Sequence, residues 1–475
     1  MSDTHSPSSS PSIVFIMADD MGYGDLGCYG ATKILTPHMD RLASEGIRFT
    51  DAHSSAAVCT PSRYSVLTGR YCWRSRLEKW VLWGFEPPLI EPQRLTMASM
   101  LKRQGYATAA IGKWHLGLGW TTTDGALPTA DGRNVDYRIP VRGGPLQLGF
   151  DTCLCITGSL DMAPYCFIED DHTLGIPAVD KDPYLPQQRE GLMVPDWRDD
   201  LVDVRFTERA VAFIDQHAEQ RPSQPFFLYL TPSAPHRPCV PPGFMEGASE
   251  AGERGDLVAL VDWMVGQIDD ALARHDLQER TLVIVTSDNG ARLTNYDGRD
   301  YGHRSNGDLR GQKADIWDGG HREPFIARWP GRIAPGTVTD QLTCLSDLMA
   351  TCADILGVDL PADAGQDSYS FLHALTGAPA SGPVRDALVH HSGDGMFSLR
   401  KGRWKLIRGF GSGGFSEPKH AEPVPGGPLG QLYDMESDWQ ETGNAWLEHP
   451  TAVEELSHLL DEVQSQGFSR PGARP

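Results

Sequence analysis

Two short apolar runs in this chain end in pairs of oxygen-rich side chains. Ile13–Ala18 leads into Asp19-Asp20, and Thr281–Ser287 leads into Asp288-Asn289. Asp and Asn are ordinary turn formers, so either pair alone reads as the end of a strand. Together they put three carboxylates and an amide oxygen at two strand ends, where ligands gather in open α/β sheets. Such hard oxygen donors suit Ca²⁺ or Mg²⁺. The second reactive segment is Cys59-Thr60-Pro61-Ser62-Arg63, continuing through Leu67-Thr68-Gly69-Arg70. Pro61 predicts a helix start, placing Cys59 at the positive end of a helix dipole, which favours a thiolate or a developing oxyanion. Arg63, one turn later, points a guanidinium fork to the same end. The plainer alternative is a buried structural cysteine. A thiol hydrolase is a further one, although no His-Asp pair lies near Cys59 in sequence.

Strands and helices must bring these residues together. After Ile13–Ala18, Thr36-Pro37 predicts a helix with Met39, Leu42 and Ala43 on one face and Gly46 as its stop. A helix over 96–104 ends at Gly105 and feeds a strand over 107–112; a helical stripe over 200–217 precedes a strand over 226–230. A helix over 256–275 then leads to the strand that ends at Asp288. This alternation predicts the α/β class, a large mixed and mostly parallel sheet with helices on both faces. Residues 119–198 are irregular and rich in Gly, Pro and Asp, which in a compact domain marks a functional segment. The division expected is a flexible tail over 1–12, a large domain over 13–380 and a small α+β subdomain over 381–475. In that subdomain, 387–391, 396–407 and 431–435 read as strands and 451–464 as a closing helix. His390-His391 looks like a metal pair, but strand neighbours point to opposite faces, so a structural role is expected.

The chain has 475 residues, 40% of them apolar, and a formal charge of −21 from 42 basic and 63 acidic side chains. That acidity argues against nucleic acid or an anionic membrane surface as partner. No stretch approaches the roughly 18 apolar residues of a membrane span. Residues 1–12 show no signal-peptide pattern, so a cytoplasmic location is expected, or a periplasmic or secreted one if a leader has been removed. Nine cysteines, an odd number without a C-x-x-C pair, suit a reduced compartment with one Cys to explain.

Cys59-x-Pro61-Ser62-Arg63 followed by Leu67-Thr68-Gly69-Arg70 resembles the signature of type I, formylglycine-dependent sulfatases of the alkaline-phosphatase-like superfamily. Gly105–His115, Ala234-Pro235-His236, Leu309–Lys313, Trp317–Gly320 and Leu432-Tyr433-Asp434 resemble further segments of that family in order. The resemblance implies that a formylglycine-generating enzyme oxidises Cys59 to formylglycine, whose hydrate attacks sulfur. It implies that Asp19, Asp20, Asp288, Asn289 and residue 59 hold Ca²⁺ (or Mg²⁺). Arg63, Lys113 and Lys313 would bind the sulfate, His236 with Lys313 would protonate the departing oxygen, and His115 would take the proton that expels sulfate. Three carboxylates, three cations and a divalent metal make such a pocket net positive, so it holds an anion inside an acidic protein.

Ser159 matches a sulfate-contacting position of that family, with a plain loop serine as the alternative. His303 and Asn306 precede the Lys313 loop and could touch a sugar or be ordinary surface loop residues. Met and Trp residues around 73–100 read as packing, with an aromatic sugar platform as the alternative. Ser159–Tyr165 and Ser305–Asp315 are similar to bacterial N-acetylgalactosamine-6-sulfatase-like sulfatases, which implies a galacto-configured 6-sulfate. The expected substrate is a small sulfated carbohydrate or an aryl sulfate, because the acidic surface repels long polyanions. The alternatives are a phosphonate monoester or phosphodiester hydrolase of the same fold, and a non-catalytic sulfated-glycan-binding protein.

Overall fold

A computed structural model describes residues 10–184, 188–379 and 382–475. Residues 1–9 of the expected tail over 1–12 and the boundary at 380/381 lie outside the described residues, and Ser12 belongs to the first strand. Apolar runs with little polar interruption become the buried strands. These are β1 (Ser12–Ala18), β2 (Ile47–Phe49), β3 (Ala107–Lys113) and β4 (Thr152–Ile156), then the short pair β5 (Ile168–Glu169) and β6 (His172–Thr173). They are followed by β7 (Phe226–Thr231), β8 (Thr281–Ser287), β9 (Phe325–Arg328) and β10 (Thr337–Thr339). They form one ten-stranded sheet in the order β10-β2-β9-β8-β1-β7-β3-β4-β5-β6. The five central strands, β8 to β4, are mutually parallel, so their carboxyl ends lie along one edge. Strands at both sides run antiparallel, so the sheet is mixed and mostly parallel at its centre.

Side-chain alternation along β1 sends Val14, Ile16 and Ala18 to one face and Ile13, Phe15 and Met17 to the other. Helices α1 (Pro37–Glu45), α4 (Val202–Gln220) and α5 (Gly252–Arg274) cover the first face with Met39, Phe206, Ile214 and Val258. The second face is covered by α2 (Cys59–Thr68), α3 (Met97–Arg103) and α6 (Leu348–Leu356), through Tyr64, Leu67, Met97 and Leu348. α1 starts at Pro37 and stops at Gly46 as its residues predict. In α2, by contrast, Cys59 is the first helical residue and Pro61 the third, with Val58 at the cap. The irregular reading of 119–198 misses β4, because Thr152–Ile156 spans only five residues and lacks a helical or clearly alternating pattern.

The C-terminal part carries a four-stranded antiparallel sheet of β11 (Ala387–His391), β12 (Phe397–Lys401), β13 (Trp404–Ile407) and β14 (Gln431–Asp434), with α7 (Pro450–Gln466) packed on it. The single strand expected over 396–407 is a hairpin. Gly402, at φ +54°, supplies the left-handed turn between β12 and β13. His390 stacks on His321 with ring centroids 3.9 Å apart, whereas His391 packs toward Phe397. All nine cysteines are free. Among the described residues, no helix is long and apolar enough to cross a membrane.

Candidate active site

Each of the five central strands delivers polar groups at or just beyond its carboxyl end. β1 delivers Asp19 and Asp20, β3 delivers Lys113 and His115, β4 leads to Ser159 and Asp161, β7 leads to His236, and β8 delivers Asp288 and Asn289. The start of α2 brings Cys59 and Arg63 to the same edge, and the loop before β9 brings Lys313. Two of these positions turn the chain sharply. Asp20 and His115 adopt φ +67° and +56°, a left-handed conformation that non-glycine residues seldom hold outside functional sites.

Ligand atoms of Asp19, Asp20, Cys59 and Asp288 lie within 4.8 Å of one another, all buried. The three carboxylates pair one to one with three cations. Lys113 Nζ donates to Asp19 Oδ2 at 2.7 Å, and Lys313 Nζ reaches Asp20 Oδ1 at 2.6 Å. Arg63 Nε and Nη2 donate to Asp288 Oδ2 at 3.0 and 2.7 Å. Its Nη1 donates to the Lys113 carbonyl at 3.0 Å, so the guanidinium expected to fork the anion is directed onto Asp288 and the end of β3. Asn289 Nδ2 donates to Asp20 Oδ1 at 2.7 Å. The Oδ1 atoms of Asp19 and Asn289 are buried without a hydrogen-bond partner, the former having Arg63 Nη2 3.6 Å away. Two orphaned oxygens beside two further carboxylates are a donor set that fits a hard divalent cation.

Burial and charge set the protonation states. Burial pushes the Asp20 carboxyl upward, but Lys313 and His236 outweigh it and hold the group below the usual carboxylate range. Asp288 is raised by burial and by Asp19, against the pull of Arg63. Burial works against the charge on Lys313, yet Asp20 and Cys59 hold its pKa well above the ordinary lysine value. The thiolate favoured by the helix dipole is not what the fold produces. Burial, together with Asp288 and Asp19, pushes the Cys59 thiol up to about 12 against Lys113 and Lys313. Lys313 Nζ lies 3.1 Å from its Sγ. Burial thus favours the neutral thiol over the thiolate at an unmodified Cys59.

The two histidines have defined tautomers. His115 Nε2 meets the Leu82 carbonyl at 2.8 Å and must donate to it, leaving the lone pair on Nδ1, which is buried without a partner. Burial, with Lys113 and Arg63, holds this imidazole neutral. His236 Nδ1 donates to the Arg237 carbonyl at 2.8 Å, and its Nε2 lies 3.7 Å from Asp20 Oδ2. Burial and Lys313 lower its pKa to about 3. Its loop is tied down by Asp203, which accepts from Ser233 N and Oγ at 2.7 and 2.8 Å.

Cys59, His115, Ser159, His236 and Lys313 line one cavity of about 380 Å³. Trp80, Trp83 and Phe415 also line it, so part of the tryptophan-rich segment is cavity wall and not only packing. His303 and Asn306 are not brought to it. His303 Nε2 pairs with Asp25 at 2.8 Å beside a separate pocket. Asn306 clamps the backbone of Ala291 and Gly311. Their proximity to Lys313 in sequence suggested a sugar contact, but the intervening turns carry them elsewhere. Sequence reasoning missed Asp161, Arg189 and Arg237, which line the same cavity. Asp161 lies in the Ser159–Tyr165 segment singled out for its resemblance, whereas the signal for Arg189 was its place in the long irregular segment.

The family model for sulfatases matches residues 11–358. An N-acetylgalactosamine-6-O-sulfatase of Bacteroides thetaiotaomicron is 34% identical, over 98% of this chain and 95% of its own length. Human arylsulfatase A is 33% identical, over 96% of this chain and 87% of its own. A solved structure described with the metabolism of multiple glycosaminoglycans by Bacteroides thetaiotaomicron superposes with a TM-score of 0.83. It is 32% identical and covers 96% of this chain and 100% of its own.

Proposed function

The chain belongs to the sulfatase family and is a sulfuric ester hydrolase, and from that premise we propose that it desulfates a small sulfated carbohydrate through a formylglycine made from Cys59. The observation that carries the reading is the convergence of three cation-paired carboxylates and the Asn289 amide on Cys59, which with Lys313 lines one cavity. Asp19, Asp20, Asp288 and Asn289 fit a Ca²⁺ ion, which when bound supplies a Lewis acid beside residue 59. Residue 59, matured by a formylglycine-generating enzyme, supplies an aldehyde hydrate as nucleophile toward sulfur.

The remaining chemistry belongs to this chain's own side chains. Arg63 fixes Asp288 and stays charged, while Lys113 and Lys313 hold positive charge where the sulfate oxygens sit. His236 is neutral in the free pocket. A bound sulfate ester adds the negative charge that offsets Lys313, so protonation of His236 Nε2 is coupled to substrate binding. From there, with Lys313 adjacent, the proton passes to the departing sugar oxygen. His115 Nδ1, with its lone pair free and its ring held by the Leu82 carbonyl, accepts the proton of the second hydroxyl on residue 59 as sulfate leaves. Similarity to the N-acetylgalactosamine-6-O-sulfatase supports a galacto-configured 6-sulfate as substrate.

Two measurements test this. Peptide mass spectrometry of protein matured in its native host should find residue 59 as the aldehyde; an intact thiol there sinks the formylglycine chemistry. Turnover by that protein should be highest on 6-sulfated galactose or N-acetylgalactosamine. A phosphonate monoester or phosphodiester favoured by orders of magnitude would reassign the enzyme within the same fold.

A further inference from the structure

Asp161 lies in the cavity wall with Ser159 and His236, and its side chain is 3% exposed. Its two oxygens are used unequally. Oδ2 accepts from Arg189 Nη1 at 3.1 Å and from Arg237 Nε at 3.0 Å, and Arg237 Nη2 pairs with it at 2.9 Å. Oδ1 has no partner at all. The carboxylate is thus locked in orientation from one side while its other oxygen is buried without a hydrogen bond. Its anchors belong to the pocket as well. Arg237 directly follows His236, whose Nδ1 donates to the Arg237 carbonyl, and Arg189 stacks 4.1 Å over the Trp83 ring. An ionised carboxylate only accepts hydrogen bonds, and a buried acceptor without a donor is strongly unfavourable. An apolar leaving group against this wall would leave Oδ1 unpaired, whereas a sugar offers hydroxyl hydrogens.

We propose that Asp161 is a specificity-determining residue whose Oδ1 accepts a hydrogen bond from a hydroxyl of the sugar that carries the sulfate. This rests on the sulfatase reading and selects, among sulfate esters, those of polyhydroxylated rings. No covalent step is involved: the carboxylate binds the sugar and leaves the chemistry at residue 59 unchanged.

The experiment uses the full, matured chain. The wild-type protein and the near-isosteric Asp161→Asn variant are assayed for kcat/KM on glycosides of galactose 6-sulfate and N-acetylgalactosamine 6-sulfate. Singly deoxygenated analogues of each, and an aryl sulfate, complete the panel. With the wild type, one deoxy analogue should fall by roughly 10- to 150-fold, the loss expected for a hydrogen bond to a charged group. Asp161→Asn should fall by a similar factor on the parent sugar but lose little more on that one analogue, because both changes remove the same contact. A residue that only braces Arg189 and Arg237 gives losses that multiply on every analogue, and this overturns the proposal. If the variant does not fold, the wild-type series decides alone: no analogue slowed by about 10-fold or more overturns it. Aryl sulfate turnover with no sugar sulfate turned over overturns it too, with the sulfatase reading intact. Turnover of neither ester overturns both.

Discussion

Replacing Lys113 by Met removes one charge and keeps most of the side-chain volume, so the loss it causes is electrostatic. In the wild type Lys113 Nζ meets Asp19 Oδ2 at 2.7 Å with both side chains fully buried, and the next cation, Arg63 Nη2, lies 3.6 Å from Asp19 Oδ1. Removing one partner of a buried pair costs about 3–5 kcal/mol, because the other charge is left uncompensated; Arg63 moves the expectation to the lower end. A cation seated on Asp19 compensates the same charge. Binding to the folded state at 100 times its Kd stabilises by about 2.7 kcal/mol. The variant also lacks a like charge beside the site, so Ca²⁺ should stabilise it more than it stabilises the wild type. The assay is thermal unfolding, followed by near-UV dichroism, in chelator and in saturating Ca²⁺, alongside kcat/KM on an aryl sulfate. The variant should unfold well below the wild type in chelator and recover part of the gap with Ca²⁺. It should lose roughly 10²–10³ in turnover, as for other lost anion-stabilising donors. Coincident unfolding in chelator would refute the buried pair, equal Ca²⁺ shifts would refute Asp19 as a ligand, and undiminished turnover would refute the role of Lys113.

Three further outcomes follow from the geometry. His115→Gln should cut kcat by roughly 10²–10⁴, since an amide cannot take the proton that Nδ1 accepts, while the dichroism stays native; wild-type turnover would exclude His115 as the base. His391 is fully buried, and burial lowers its pKa to about 4, against about 6.5 in the unfolded chain. The unfolded state binds more protons between those values, so stability is complete above about pH 6.5 and falls by about 3 kcal/mol as pH drops to about 4. Urea midpoints measured across that window should fall less steeply in a folded His391→Gln variant, and an unchanged slope contradicts the assignment. Gly112 sits at φ +123° where a Cβ would lie 2.0 Å from the Thr231 carbonyl oxygen. Gly112→Ala should therefore separate β3 from β7 and destabilise by roughly 1–3 kcal/mol. It should also reduce turnover by shifting Lys113, and a native denaturant midpoint would show that the strands absorb the methyl group.

The strands that end in site residues were legible because Ile13–Ala18 and Leu282–Val285 are short uninterrupted apolar runs, as strands of a sheet covered on both faces are. α1 was legible from Thr36-Pro37 and Gly46, whose effects are local. β4 was not, because five residues carry too little periodicity to stand out in an irregular segment. The hairpin at Gly402 was missed because a two-residue turn, Gly402-Arg403, barely interrupts the pattern of the flanking strands. His303 and Asn306 do not line the Cys59 cavity although they are near Lys313 in sequence, because the turns of that loop commit them to Asp25 and to the Ala291 backbone.

The sequence by itself determined which residue types are available for chemistry: Cys59 at a helix start, acidic pairs at two strand ends, and His115 and His236 in segments that follow strands. It also determined the α/β class, because strand and helix periodicities are properties of short windows. Only the tertiary structure decided who pairs with whom. Lys113 and Asp19 are 94 positions apart and Arg63 and Asp288 are 225 apart, and no local pattern encodes such contacts. Burial, also a tertiary property, turned the expected thiolate of Cys59 into a neutral thiol and held His115 neutral. Asp161, given no role of its own in the sequence, became a candidate for sugar recognition only when folding brought Arg189 and Arg237 to one of its oxygens and left the other without a hydrogen bond. Chemistry of this kind depends on charges converging from distant strands in a site that excludes water, and that convergence exists only once the sheet has formed.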